Sequence, residues 1–304
     1  MTTSLSLAPA ESASTSAAQR HRGSISAVPA IDASQTDEIA AAFERKTPFI
    51  IENAGQNPHH VDMAFIEERF PDLQVTCFNP ESNSEHIQLD DLLGRIKRGE
   101  KYRLRADVFL GRRLDRFFKT DYFDRIRGYA RTLMDLILHF FAGKKWAIFL
   151  STPECKMSNH AHINSVFVIQ LEGRKTWHLD FRGLDEIEHK DLYPYDFLAE
   201  KEPNRELELT LEPGQVLYLP AYWFHYTDTD EVTLSMHYLF AEPMSYYFRP
   251  AIRSLFFYEL FKRPLGMMKL ALARNNEIGF GDKRKWQRTK TEAQLSFLMQ
   301  NDYS

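Results

Sequence analysis

The sequence predicts a mainly β fold with flanking helices, an α+β chain whose strands form a sandwich or small barrel. Three observations point there. Between Lys145 and Phe240, the short runs KWAIFLST, HAHINSVFVIQL, RKTWHLDF, ELTL, QVLYLP, WFHYT and VTLSMHYLF are rich in β-branched and aromatic residues and are separated by Gly, Pro and acidic turns. Upstream, short helical and extended patterns alternate, which reads as an α/β wrapping around the β region. From about Ser245 the apolar residues return to helical spacing.

Residues 1–27 are rich in Ser, Ala and Thr and lack the basic and apolar regions of a secretory signal, so they read as a disordered tail. Order is expected from Val28 to Ile31, followed by a helix over SQTDEIAAAFERK with Ser34 as its N-cap and Glu38 in its first turn. PFIIENA, from Pro48, reads as a strand. Met63 to Phe70 reads as a helix, Gln74 to Phe78 as extended chain, and IQLDDLLGRIKRG from Ile87 as a helix stopped by Gly99. Leu114 to Phe141 is a long helical pattern, read as two helices interrupted near Gly128 and packed on a sheet. Residues 28–244 thus form one domain and 245–304 a C-terminal helical extension. Its aromatic stripe between Tyr246 and Phe261, closed by Pro264, is expected to make a homodimer interface.

Composition excludes several classes of function. The chain of 304 residues is long enough to bury a substantial core, and 43% hydrophobic residues with 23 Phe supply one. A net charge of −4 leaves no basic excess for coating nucleic acid. Cys77 and Cys155 are too few for a disulfide framework or a Cys-rich zinc module, which fits a reducing cytoplasm. The longest apolar run, Leu133 to Phe141, contains Asp135 and His139 and falls short of a membrane span, so no membrane partner is expected. Nucleotide-binding glycine motifs, the serine-hydrolase elbow and the zincin helix are absent from the sequence. Arg103, Arg105, Arg112, Arg113 and Arg116 are interleaved with Asp107 and Asp115, the pattern of a solvated face or, less often, of a surface for an acidic substrate or partner.

Three of the histidines carry the chemical signal. On a strand, side chains two apart share a face, so His160 and His162 would project together, roughly 6–7 Å apart, a spacing that suits two ligands of one ion. His225, 65 residues further on and after the turn EPGQVLYLP, could complete a facial set with open positions. Each ring must be neutral to ligate, so binding would weaken below roughly pH 6.5. An H-x-H pair by itself is as readily a pair of ordinary strand histidines.

The blocks NHAHINSVFVIQLEGRKTWHL, LEPGQVLYLPAYWFHYT and VTLSMHYLF resemble the core of the JmjC/cupin-like hydroxylases. In that family an H-x-D/E pair precedes a Q-x-x-G-x-K-x-W strand pair, and the second histidine sits in a P-x-x-W-x-H element after an E-P-G-D turn. DLYPYDF, from Asp191, is similar to a segment of the asparaginyl-hydroxylase branch. The resemblance spans about Lys145 to Glu242, with PFIIENA resembling the family's entry strand. It implies a double-stranded β-helix, the jelly roll of cupin and JmjC type, with N-terminal α/β wrapping and C-terminal helices. By position it implies His160 and His225 as ligands of Fe(II) and Lys175 as the cation pairing with the far carboxylate of 2-oxoglutarate.

Where the family has Asp or Glu, this chain has His162. Either His162 ligates and gives a three-histidine centre with one more positive charge, or it leaves a coordination position open, or the site is degenerate. His237 stands where the branch carries an Asn. It would hydrogen-bond a co-substrate or substrate carboxylate, or be a neutral strand histidine among Tyr238 and Phe240. Asn164, on the face of His160 and His162 by alternation, would line the co-substrate pocket. Tyr222, Trp223 and Trp177 read as core or pocket wall. The resemblance therefore implies a cytoplasmic Fe(II)- and 2-oxoglutarate-dependent dioxygenase that hydroxylates a small-molecule or peptide substrate. The other readings are a three-histidine cupin dioxygenase that needs no oxo acid and a catalytically degenerate cupin-fold binding protein.

Overall fold

The structure is a computed structural model that describes residues 27–80, 84–119, 123, 126, 145–155, 159–187, 189–190, 197–198 and 207–262. The N-terminal part runs β1 (Ala30–Asp32), α1 (Thr36–Arg45), β2 (Phe49–Glu52), α2 (Met63–Arg69), β3 (Gln74–Phe78), β4 (Ser84–Gln88), α3 (Leu89–Lys97), β5 (Arg103–Asp107) and α4 (Val108–Leu114). The β region follows with β6 (Lys145–Ser151), β7 (His160–Ala161), β8 (Ser165–Glu172), β9 (Lys175–Phe181), β10 (His189–Lys190), β11 (Phe197–Leu198), β12 (Leu207–Leu211), β13 (Val216–Leu219), β14 (Trp223–Asp228) and β15 (Thr233–Phe240). Helices α5 (Met244–Tyr247) and α6 (Arg253–Lys262) come last.

Two sheets result. The larger has nine strands in the order β1-β2-β13-β8-β15-β6-β5-β3-β4, and the smaller has six in the order β10-β11-β7-β14-β9-β12. Among the described strands every pairing but β1 with β2 is antiparallel. The mainly β jelly-roll class anticipated from the sequence is what the chain adopts, as two sheets that do not close into a continuous barrel.

Central strands of the larger sheet are buried on both faces, which is why β8 and β13 read as unbroken apolar runs. Phe167, Ile169 and Leu171 of β8 face the N-terminal wrapping, where Ile39, Phe43, Leu92 and Leu110 meet them in one core. Val166 and Val168 point the other way, into the space between the sheets, against Trp177 and Leu179 of β9 and Leu209 and Leu211 of β12. Gly173 turns β8 into β9 at φ +66°, and a Cβ there would lie 2.2 Å from the Val232 carbonyl oxygen, so only glycine fits.

A buried carboxylate ties the layers together. Glu242, just past β15, receives hydrogen bonds at Oε1 from Ser165 Oγ and Tyr218 OH, both at 2.6 Å, and its Oε2 lies 2.9 Å from Lys46 Nζ. Lys46 caps α1 in the left-handed region and sits 3.1 Å from the centre of the Phe43 ring. The same Ser165 Oγ accepts from Ala221 N at 2.8 Å, and Tyr247 OH bridges the Glu242 N–H to the Ile163 carbonyl.

Several expectations are corrected. Ser34 is not the cap of α1: the helix starts after Gln35, and Ser34 instead donates to Asp32 Oδ1 at 2.6 Å in the turn that ends β1. Arg103 does not belong to a solvated face, because β5 pairs with β6 and buries it over the Phe78 ring. The aromatic stripe after Ser245 is largely internal, with Tyr246, Tyr247, Leu255 and Phe256 packed on Tyr222 and Phe224, while Phe248 stays 52% exposed. The expected tail over 1–26, the helical pattern over 127–141 and the extension beyond 262 lie outside the described residues.

Glu242→Leu is expected to strand the Lys46 ammonium in a buried setting and lower stability by ~3–5 kcal/mol, measured by urea unfolding. Adding Lys46→Met is expected to recover most of that loss.

Candidate metal centre

The three histidines converge where the smaller sheet pairs β7 with β14. His160 and His225 stand directly opposite each other in that ladder, and their ring centroids are 4.3 Å apart. Strand β7 ends at Ala161, so His162 lies past the strand, just before the bend at Ile163 and Asn164. Its carbonyl accepts from Tyr222 N at 3.0 Å, the turn before β14, where Tyr222 has φ +63°. This contact swings the His162 ring back toward the pair, 6.1 Å from His160 and 5.2 Å from His225 between centroids. One ring nitrogen from each of the three lies within 4.8 Å of the others. The expected closeness of His160 and His162 holds, but a bend and not strand alternation produces it.

Backbone carbonyls fix two of the rings. His225 Nδ1 donates to the Trp223 carbonyl at 3.0 Å, and His162 Nδ1 donates to the Asn164 carbonyl at 2.7 Å. A carbonyl oxygen only accepts, so both Nδ1 atoms carry a proton and both Nε2 atoms are turned away from these carbonyls. His160 and His225 are buried at 4% and 6% exposure, and His162 is half-buried. Burial, and then the neighbouring His162, push the His225 pKa down to about 3, so that ring is neutral across the physiological range. Three converging imidazoles, two of them oriented by backbone carbonyls, match the donor chemistry of Fe(II) or another divalent transition ion. Among the described residues no carboxylate joins the group. The nearby buried Asp180 is engaged instead by Arg182 Nε at 2.7 Å and Asn159 Nδ2 at 3.3 Å.

The inter-sheet space beside the histidines holds the remaining candidates. Lys175, the first residue of β9, is 3% exposed, and burial pushes its ammonium down to about 8 with no carboxylate partner among the described residues. His237 on β15 faces the same interior. Its ring stacks on Phe149 at 3.9 Å, its Nε2 meets Ser235 Oγ at 3.1 Å, and burial followed by the Lys175 charge pushes its pKa well down. Tyr238 and Phe240, expected as its neighbours, point to the opposite face and join the core under the N-terminal wrapping. Asn164 is buried and contributes its backbone carbonyl to His162.

Sequence reasoning read Trp177 as core or pocket wall and passed over Gln170. Trp177 shares its face of β9 with Lys175, and its ring lies 5.8 Å from His225 and 5.9 Å from His237. Gln170 on β8 is fully buried, its Nε2 donating to the carbonyls of Glu172 and Gly173. Alternation along KTWHLDF placed Trp177 beside Lys175, and its polar N–H was the available signal. DLYPYDF lies outside the described residues except for Phe197, which is buried in β11 opposite Ala161.

No helix among the described residues is long and apolar enough to cross a membrane. No curated protein matches the chain. Residues 125–246 match the family model for the JmjC domain, and that stretch contains all three histidines, Lys175 and His237. The geometry and the match agree: the stretch that is similar to the JmjC domain, residues 125–246, is the one that brings the three histidines together.

Proposed function

We propose that the protein is an Fe(II)-dependent oxygenase that uses 2-oxoglutarate and O2 to hydroxylate a small-molecule or peptide substrate. The observation that carries the reading is the convergence of His160, His162 and His225, with ring nitrogens within 4.8 Å, inside the stretch that is similar to the JmjC domain. Bound iron would supply redox activation of O2, with 2-oxoglutarate, O2 and R–H yielding succinate, CO2 and R–OH. The chain's own part is positional. His160, His162 and His225 would hold the ion through neutral imidazole nitrogens. The carbonyls of Asn164 and Trp223 keep the ring protons on the far side. Lys175 would hold the far carboxylate of the oxo acid by a charge-assisted hydrogen bond in a dry cavity, where such a bond is strongest. His237 and Asn164 would line the same cavity, while Phe149 and Trp177 exclude water from it.

One observation favours a second reading. A donor set of three neutral imidazoles leaves a divalent ion its full charge, which suits direct binding of an anionic substrate without an oxo acid. Anaerobic Fe(II) titration with 2-oxoglutarate separates the two. A visible charge-transfer band and succinate release support the first reading, and their absence with every substrate tried overturns it.

Purified protein is expected to bind about one equivalent of Fe(II) or Co(II). His225→Ala is expected to weaken that binding by on the order of 100-fold or more, read by metal titration. Lys175 gives a pH test. Its amine titrates near 10.5 when unfolded and near 8 when folded, so between those values the unfolded chain holds more protons and stability rises with pH. Below that window the folded protein bears a cost of roughly 3 kcal/mol. Lys175→Met is therefore expected to raise stability at pH 7 by ~1–3 kcal/mol, flatten the alkaline rise in urea-unfolding data and abolish 2-oxoglutarate binding with metal affinity intact.

A further inference from the structure

The indole N–H of Trp177 is a buried donor without an acceptor. The residue is 2% exposed, and its Nε1 has no hydrogen-bond partner. A buried tryptophan normally finds an acceptor for this group, because leaving it unmet costs about 1–3 kcal/mol. An apolar ring would fill the same volume without that cost. Phenylalanine is abundant in this chain, with 23 residues, so the indole calls for an explanation.

Its surroundings supply one. Trp177 and Lys175 sit two residues apart on β9, so both point into the space between the sheets. The Trp177 ring is flanked by His225 of the metal group and by His237. Across the same space, Gln170 Oε1 is a buried acceptor without a donor. The Lys175 ammonium offers three N–H groups and the indole one more. Donors gathered in this way are complementary to a guest that brings acceptor oxygens and negative charge.

We propose that Trp177 is a co-substrate-binding residue whose indole N–H donates to the distal carboxylate of the oxo acid that Lys175 anchors. The inference rests on the oxo-acid reading above and adds to it a second donor that would select a dicarboxylate over a monocarboxylate.

The test uses Fe(II)-loaded protein under anaerobic conditions and two probes, 2-oxoglutarate and 2-oxopentanoate, in which a methyl group replaces the distal carboxylate. Trp177→Phe keeps the ring and removes the donor. It is expected to raise the Kd for 2-oxoglutarate by about 10-fold, leave that for 2-oxopentanoate unchanged, and leave Fe(II) affinity and Tm unchanged or Tm raised. An unchanged Kd for 2-oxoglutarate, or equal weakening for both acids, overturns the assignment. A wild-type protein that takes up Fe(II) but no 2-oxoglutarate overturns the oxo-acid reading itself, and this inference with it. A second measurement needs no variant. In Zn(II)-loaded protein labelled with 15N at its four tryptophans, one indole peak is expected to shift downfield with 2-oxoglutarate and stay in place with 2-oxopentanoate. Four stationary peaks overturn the proposal.

Discussion

The Glu242 carboxylate is the constraint on which the other parts of the molecule depend. It is buried where the N-terminal helix, the larger sheet and the C-terminal helices meet, and it takes a ligand from each side: Lys46 from α1, Tyr218 from β13 and Ser165 from β8. A bare carboxylate in such a place would be prohibitive, and it persists because charge and hydrogen bonds surround it. Ser165 passes the constraint to the Ala221 backbone, and Tyr247 passes it to Ile163. Those two backbone segments are the ones that carry His162 and the turn before β14. The geometry of the imidazoles is thus set by a polar cluster that contains none of them.

A different logic governs the space between the sheets. Around Glu242 every charge is matched, whereas Lys175 is buried without a carboxylate among the described residues, and Trp177 and Gln170 each keep a polar atom unmet. Such groups cost stability, and they cluster on one side of the histidines. Their place beside the three histidines marks where the chain is shaped for something other than itself.

Much of this was legible in the sequence because strands and turns leave local signatures. Runs such as SVFVIQL are largely apolar on both faces, as buried central strands require. Histidine spacing together with the contiguous blocks located the metal group. What escaped depends on distant partners. Ser34 has the chemistry of a cap, but Asp32 captured its hydroxyl first. Arg103 looked solvated because a charge pattern cannot reveal that β6 will lie beside it. Strand β4 was missed because SEHIQ is polar and extended only through its pairing with β3. His162 was placed on a strand that ends one residue earlier, since the bond from Tyr222 that bends the chain comes from 60 residues away.

The two-residue length of β7 has a consequence for assembly. His160 and His225 are joined by a single rung of a ladder whose strands lie 65 residues apart in the chain. The hairpins and helices before β6 can form from near neighbours, but this rung cannot exist until the intervening strands have found their places, because closing so long a loop is entropically unfavourable. An ion bridging that rung would act as a late clasp, fastening the short strands β10, β11 and β7 to β14 only after the whole β region has folded, and resisting their separation thereafter.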